Sequence, residues 1–471
     1  MPGTARVINV RQNDLTARAR AAAEVAKANA AAVDAEARFP GESFAEIRKQ
    51  RLLGLQVPQA LGGDGASIAE IADVCYILGQ ACSSTALIYA MHQIKMACIT
   101  RHAKGSAALE RILGRIAAEQ LLMASSTTEG QAGGNVRSSE AAVEHDGEQV
   151  TLERKATVIS YAVEADGIVT TARRAADAAG SDQVLLVLLK ADYTLERLQV
   201  WDTLGMRGTH SEGFTLRARA AAEQITLERK ATVISYAVEA DGIVTTARRA
   251  ADAQGNDQVL LVLLKSDYTL ERLQVWDTLG MRGTHSEGFT LRARAAAGQI
   301  LPEPYERIHA QTMVPFAHLL WGSVWAGIAA AAAGKAQAFI RHAVRGSNGQ
   351  MPPGAAHFTQ AVSSLRTLRG VLAANLRSYE AIMSDEKAIS SLEFQAMITL
   401  TKVQASELAV TTVLHSLRAY GLSGYRNDTE FTIGRLLRDV LSAPLMINND
   451  RILANLATTS LMTPLPTSIS G

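Results

Sequence analysis

Residues 151–225 recur almost unchanged as residues 226–300, and this tandem repeat limits the possible folds more than any other feature of the 471-residue chain. The two 75-residue copies differ at four positions: Ala179/Gln254, Ser181/Asn256, Ala191/Ser266 and Glu223/Gly298. A solenoid carries many diverged copies of a short unit. Two long, near-identical copies indicate a duplication. Glu148-Gln149-Val150 leads into the first copy and Glu223-Gln224-Ile225 into the second, so both begin their first strand from nearly the same local sequence. Their apolar patterns are identical, and either copy can supply any given strand. A domain built from the early part of copy one and the late part of copy two ejects 75 residues. Closing such a loop costs on the order of 4 kcal/mol, well below the burial energy of a domain. The fold is therefore expected to tolerate the insertion, with one copy of any given segment in place and the other displaced.

Removing one 75-residue copy from 471 leaves 396 residues, and that shorter chain is the object to interpret. Residues 15–119 show helical periodicity with few breakers, and over 68–81 Ile68, Ile71, Ala72, Cys75 and Leu78 share one face. Ser67 with Glu70 three residues on predicts a capping box. Within each repeat short β-type runs (167–172, 183–189, 195–201 and 213–216 in the first copy) are separated by Gly, Asp and Ser. Helical patterning returns over 305–461, broken at 346–354 and 421–428. The expected fold class is α+β: an N-terminal helical domain (1–120), a central β domain (121–304) and a C-terminal helical domain (305–471).

Composition excludes more than it suggests. Forty-seven basic against 46 acidic residues give no excess of positive charge for nucleic acid or an anionic membrane. Cys75, Cys82 and Cys98 are odd in number and lie in one apolar stretch, so they read as reduced thiols rather than a disulfide framework. The N-terminus has no apolar signal-peptide core, and the most apolar run, 328–334, is too short to span a bilayer, so a cytoplasmic location is the expectation. No Walker loop, GxGxxG, HExxH or CxxC pair occurs, and the ten scattered histidines give no metal-ligand spacing.

An ordered set of segments carries the functional signal. Leu53-Gly54-Leu55, Pro58 and Gly62-Gly63-Asp64-Gly65-Ala66-Ser67 precede the segment CSSTALIYAMHQ at 82–93. Then come Thr128-Glu129-Gly130-Gln131-Ala132-Gly133-Gly134-Asn135, Lys155 through Arg173 with Ala165-Asp166 inside, Gly205-Met206-Arg207-Gly208-Thr209-His210-Ser211, and Arg435-Leu436-Leu437-Arg438-Asp439. In this order the segments resemble those of the acyl-CoA dehydrogenase family over nearly the whole chain. The resemblance implies a barrel-like central domain, a C-terminal four-helix domain, and a homotetramer or dimer holding FAD. It also implies an acyl-CoA or other acyl-thioester substrate, and an electron-transferring flavoprotein as electron acceptor. Ser126, Thr127 and Thr128 would face the flavin, with Val158 to Ser160 or Val233 to Ser235 over the ring, while Gly134 would meet the substrate. Arg345 and Gly349 match the family's R-x-x-F-G segment, whose arginine reaches the FAD pyrophosphate of a neighbouring subunit. Arg418, Gly421 and Gly424 match Q-x-x-G-G-x-G, and Asn449 joins the cofactor-binding set. A bidentate guanidinium suits a pyrophosphate.

The chain departs from that family where the chemistry should be. Asn348 stands in place of the Phe, and Arg418 in place of the Gln. Removing the α-proton of a thioester needs a base within hydrogen-bond reach in a dry site. Counting from Arg438, the usual Glu position is Ile447; counting from Arg345, the alternative position is Leu319, beside His318. Neither is acidic. One expectation is an acyl-thioester dehydrogenase with His318 (or Asp450) as substitute base, since imidazole titrates near neutrality. The alternatives are a flavin-dependent monooxygenase on the same fold, which needs no thioester base, or a catalytically silenced flavin-binding relative.

Overall fold

The structure is a computed structural model that describes residues 2–126 and 300–462, together with the strands between them and the turn at 161–166. The predicted α+β order holds. Five helices lead: α1 (Pro2–Glu36), α2 (Gly41–Lys49), α3 (Ile68–Ala81), α4 (Ser83–His102) and α5 (Ala107–Glu119). The capping box at α3 is complete, with the Ser67 side chain accepting from the Glu70 N–H and the Glu70 carboxylate accepting from the Ser67 N–H. The predicted face of α3 is buried, whereas α4 is buried nearly all round because helices and strands pack on every side of it. The three cysteines are free and buried, and burial pushes the Cys98 thiol up to about 12.

The β region follows. Its strands are β1 (Met123–Ser126), β2 (Glu144–Asp146), β3 (Gln149–Ile159), β4 (Gly167–Arg173), β5 (Gln183–Asp192), β6 (Thr194–Gln199), β7 (Trp201–Asp202), β8 (Met206–His210) and β9 (Glu212–Ala220). The second copy gives β10 (Gln224–Ser235), β11 (Gly242–Arg248), β12 (Gln258–Leu264), β13 (Tyr268–Gln274), β14 (Trp276–Asp277), β15 (Arg282–Thr284) and β16 (Ser286–Ala296), and β17 (Ile300–Pro304) closes the region. One sheet runs β1-β11-β5-β4-β12-β17 and another β2-β3-β10-β16-β13-β9-β6, so strands of both copies interleave in each. The copies keep the same internal register: Ala156 faces Phe214 in β3/β9, and Ala231 faces Phe289 in β10/β16. Copy one supplies the turn at 161–166 against the helical domain, and copy two supplies β12 beside β17.

The C-terminal domain comprises α6 (Tyr305–Ile308), a π-helical turn (His309–Met313), α7 (Val314–Gly346), α8 (Ala355–Ile382), α9 (Glu386–Ile389), α10 (Leu392–Tyr420), α11 (Leu422–Tyr425), α12 (Gly434–Val440), α13 (Ser442–Leu445) and α14 (Asn449–Met462). The breaks fall where Gly346 and Gly421 predict them, although the second holds the short α11. Tyr305–Gly346 is long and apolar enough to cross a membrane, but 83% of its most apolar window is buried inside the protein, as befits a central core helix.

Two glycines let the helical domains meet. A Cβ on Gly327 of α7 would lie 2.5 Å from the Tyr76 carbonyl oxygen and 2.9 Å from the Gly79 Cα, and one on Gly79 of α3 would lie 2.6 Å from the Val324 oxygen. Backbone meets backbone there, so no side-chain rotation relieves an added methyl. Gly327→Ala is expected to destabilise the protein by about 2 kcal/mol or more through overpacking, measured as a lower midpoint in urea. An unchanged midpoint would mean the helices separate at no cost.

Candidate functional site

The first candidate region is the short strand β1, through which the N-terminal helices pass into the sheets. His92 of α4 has no exposure, and both ring nitrogens are used. Nδ1 accepts from the Met123 N–H at 2.9 Å, which leaves Nε2–H to donate to the Leu53 oxygen at 2.8 Å. Burial holds His92 neutral by pushing its pKa down to about 4. On the other side the Tyr161 hydroxyl donates to the Met123 oxygen at 3.4 Å, and its ring stacks on Phe44. Asp166 accepts from the Leu122 N–H and pairs with Arg48 at 2.7 Å. Sequence reasoning included His92 in a motif and assigned it no part. Its signal was a histidine in an otherwise apolar helix.

Of the predicted flavin-facing residues, Ser126 ends β1 in register with Thr170, and Val158 lies next to the last residue of β3. Val233 and Ser235 close β10, where Ser235 pairs with Ile159. Both copies thus deliver equivalent segments to one place. Thr127, Thr128, Gly134 and Ser160 lie outside the described residues.

The second region is the seam between α7 and α10. His318 is buried, and its Nδ1–H donates to the Ile398 oxygen at 2.9 Å. Burial, with the nearby charge of Lys402, pushes it down to about 4 despite that bond. Lys402 has no exposure; its Nζ donates to Asn449 Oδ1 at 2.7 Å, lies 3.5 Å from the Pro444 oxygen, and sits 5.7 Å from the centre of the Trp325 ring. Burial lowers the Lys402 pKa to about 8. Asn449 Nδ2 donates to Glu407 Oε1 at 2.7 Å and Ser406 Oγ at 3.0 Å. Its amide is thus engaged at both ends inside the bundle. The indole N–H groups of Trp321 and Trp325 are buried and have no hydrogen-bond partner among the described residues. Leu319 has no exposure, and Ile447 lies in the linker between α13 and α14 at φ +50°.

The third region is the common end of α7 and α10. Gly354, at the start of α8, packs so closely on Ala419 that a Cβ would lie 2.3 Å from its carbonyl oxygen, and the Tyr420 hydroxyl reaches the Ala332 oxygen at 3.1 Å. Arg345 and Arg418 are exposed there, with Gly349 (φ +88°) and Gly421 (φ +58°) both left-handed. Arg418 is sixteen residues from Lys402 on one helix, which at 1.5 Å per residue is about 24 Å. The structure therefore places the two arginines in the last turns of α7 and α10, at one end of the bundle, with Asn449 further along it.

With this geometry in hand, residues 11–120 match the family model described as acyl-CoA dehydrogenase, N-terminal domain. No curated protein sequence matches the chain. A structure of KijD3 in complex with dTDP is 18% identical, with TM-score 0.68, covering 96% of this chain and 97% of that one. FMN-bound TdsC from Paenibacillus sp. A11-2 is 15% identical, TM-score 0.65, covering 96% and 98%. Methanesulfinate monooxygenase MsuC from Pseudomonas fluorescens is 16% identical, TM-score 0.64, covering 96% and 98%. Residues 11–120 thus carry the N-terminal domain of that family, and the whole chain shares its fold with these three structures.

The buried bases set the pH dependence of stability. As pH falls from 6.5 toward 4, the unfolded chain takes up protons that folded His92 and His318 refuse, and stability should fall by on the order of 3 kcal/mol per histidine. Lys402 acts at the other end, since stability should rise as pH climbs from about 8 toward 10.5. Urea unfolding across pH 4–10 checks both limbs. His318→Gln should flatten the acid limb and Lys402→Met the alkaline one; unchanged slopes would mean neither group is held unprotonated by the fold.

Proposed function

We propose that the chain is a flavin-dependent monooxygenase built on the acyl-CoA dehydrogenase fold, rather than a thioester dehydrogenase. One observation carries the reading: neither place where the family keeps its thioester base holds a carboxylate. Leu319 is sealed in the core, Ile447 is apolar, and the ionisable groups of the adjoining seam are a neutral His318, the buried cation Lys402 and the exposed Glu407, whose carboxylate accepts from the Asn449 amide. A neutral imidazole with a pKa of about 4 is a poor acceptor for an α-proton. We therefore give His318 a packing role. The oxygen-using enzymes among the similar structures, dibenzothiophene monooxygenase TdsC and methanesulfinate monooxygenase MsuC, support the same choice.

A flavin is supported by the FMN bound in the similar structures. Ser126 ends β1 in register with Thr170, and Val158 lies near the end of β3, just before the Tyr161 that bonds the Met123 carbonyl of β1. A bound reduced flavin supplies the electrons that let dioxygen deliver one oxygen atom to a substrate. The chain's own residues fix the strand ends and keep the seam dry with Leu319, Trp321 and Trp325. This reading requires no electron-transferring flavoprotein. Arg345 and Arg418 support FAD through its pyrophosphate, whereas the FMN named for TdsC needs no such contact. Exposed Leu422 (70%), Tyr425 (76%) and Leu445 (74%) on the C-terminal domain support a homo-oligomer.

The test is a comparison of two reactions. Under anaerobic conditions the flavin-loaded chain is expected to stay oxidised when acyl-CoAs are added. With reduced FMN, oxygen and dibenzothiophene or methanesulfinate, a product one oxygen atom heavier is expected. Bleaching by acyl-CoA in the parent chain would overturn the proposal, and Ile447→Glu is the variant expected to gain it. Replacing Arg345 and Arg418 with Ala should weaken FAD binding by about tenfold or more and leave FMN binding unchanged. Equal losses for both flavins would remove the arginines from the site.

A further inference from the structure

The seam between α7 and α10 holds hydrogen-bond donors that the described residues leave unanswered. His318, Trp321 and Trp325 are spaced three and four apart, so they share one face of α7. That face meets α10 through the His318–Ile398 bond and through the Lys402 ammonium, 5.7 Å from the centre of the Trp325 ring. The Trp321 and Trp325 indole N–H groups have no partner among the described residues, although the residues are only 8% and 0% exposed. An orphaned hydroxyl, such as that of Ser43 or Ser83 in the helical domain, rotates to suit its surroundings. An indole N–H has one direction, set by the ring. Two such donors buried unanswered cost free energy that filling the seam does not require, since phenylalanine would pack there without them. The charge is unanswered as well. Among the described residues no carboxylate lies within 4.0 Å of the Lys402 ammonium, and Glu407 is reached only through the far end of the Asn449 amide.

We infer that this seam binds a small organic oxyanion, a carboxylate or a sulfinate, whose oxygens accept from the Trp321 and Trp325 N–H groups and answer the Lys402 charge. Two neutral donors and one ammonium match a single negative charge that only accepts hydrogen bonds. A phosphate dianion would bring a second charge into a seam that holds one buried cation. The organic remainder meets apolar surface, because Leu319 and the two indole rings are buried in the same seam. The site lies under a single stretch of chain. The Pro444 oxygen is 3.5 Å from the ammonium, and Leu445 beside it is 74% exposed. At pH 7 the ammonium keeps its proton, since burial lowers its pKa only to about 8. As a substrate site the seam rests on the monooxygenase reading, which it narrows to anionic substrates; the binding itself does not depend on that reading.

The test reads the donors directly. In the full-length chain labelled with 15N-tryptophan, the four tryptophans give four indole N–H signals, and Trp321→Phe and Trp325→Phe assign two of them. Acetate and methanesulfinate are titrated at pH 7 without reductant, with dimethyl sulfoxide as the uncharged match to the second. At least one anion is expected to move both assigned signals downfield and to saturate, and the tighter of the two names the class. Dimethyl sulfoxide should leave them in place. Lys402→Met should weaken the anion by about tenfold or more, the usual size of a lost charge-assisted bond. Trp325→Phe, which keeps the packing, should weaken it by about threefold or more and decides the matter where Lys402→Met does not fold. No saturable shift, equal shifts with dimethyl sulfoxide, or unchanged affinity in the folded variants overturns the inference. Anion binding without oxygen transfer would instead overturn the monooxygenase reading alone. Oxygenation of dibenzothiophene with no anion bound would overturn this inference alone.

Discussion

The fastening of the Leu122–Met123 backbone is the interaction on which the rest of the structure depends. His92 and Asp166 accept its two N–H groups, and Tyr161 and the Gly167 N–H donate to its carbonyls. Each bond is worth only about 1 kcal/mol net, but together they leave β1 one position and one direction. The Arg48–Asp166 pair ties the same point to α2, and loss of either partner would strand a partly buried charge. Because β1 ends at Ser126, this fastening also decides where the predicted flavin-facing residues stand relative to the helices. The histidine serves as a rigid two-ended connector, and its depressed pKa is the consequence of that use rather than a sign of proton transfer.

A second fastening joins the two ends of the chain. Arg438 makes a bidentate pair with Asp34 of α1 while Arg435 lies 4.0 Å from Asp439 beside it. The arginine-aspartate motif that marks the start of α12 in sequence thus works as a clamp between the N-terminal and C-terminal domains. The Gly79–Gly327 crossing brings α3 and α7 into backbone contact in the same interface. The two helical domains therefore meet directly as well as through the β domain, which reaches α2 and α4 through β1 and the turn at 161–166.

Periodicity and caps made the helical frame legible in the sequence: α3 begins and ends where Ser67 and its apolar face predict, and the breaks near Gly346 and Gly421 appear. The π-helical turn at His309–Met313 was not legible, because a one-residue insertion in a helix leaves no signature in apolar spacing. Nor was β1, four residues long and read only through its partners. At the site, the motifs located Arg345, Arg418 and Ser126 without showing which share a place. The Lys402–Asn449 bond escaped notice because a lysine in an amphipathic helix ordinarily reads as solvated, and only the tertiary fold puts its ammonium against Trp325.

That buried lysine also bears on whether the missing carboxylate is real or a matter of register. Lys402 holds Asn449 and lies near the Pro444 carbonyl, and Asn448 caps α14 by accepting from the Asp450 and Arg451 N–H groups. The stretch 444–449 is therefore fixed at both ends, and Ile447 between them is driven to φ +50°, a conformation that costs a β-branched residue about 1–2 kcal/mol. A segment free to slide would relax that strain. Among the nearby carboxylates, Asp439 is buried in α12 beside Arg435, Asp450 is exposed in the first turn of α14, where the helix dipole favours it, and Glu407 is engaged by the Asn449 amide. The register that puts Ile447 at this position is thus fixed by bonds on both sides of it.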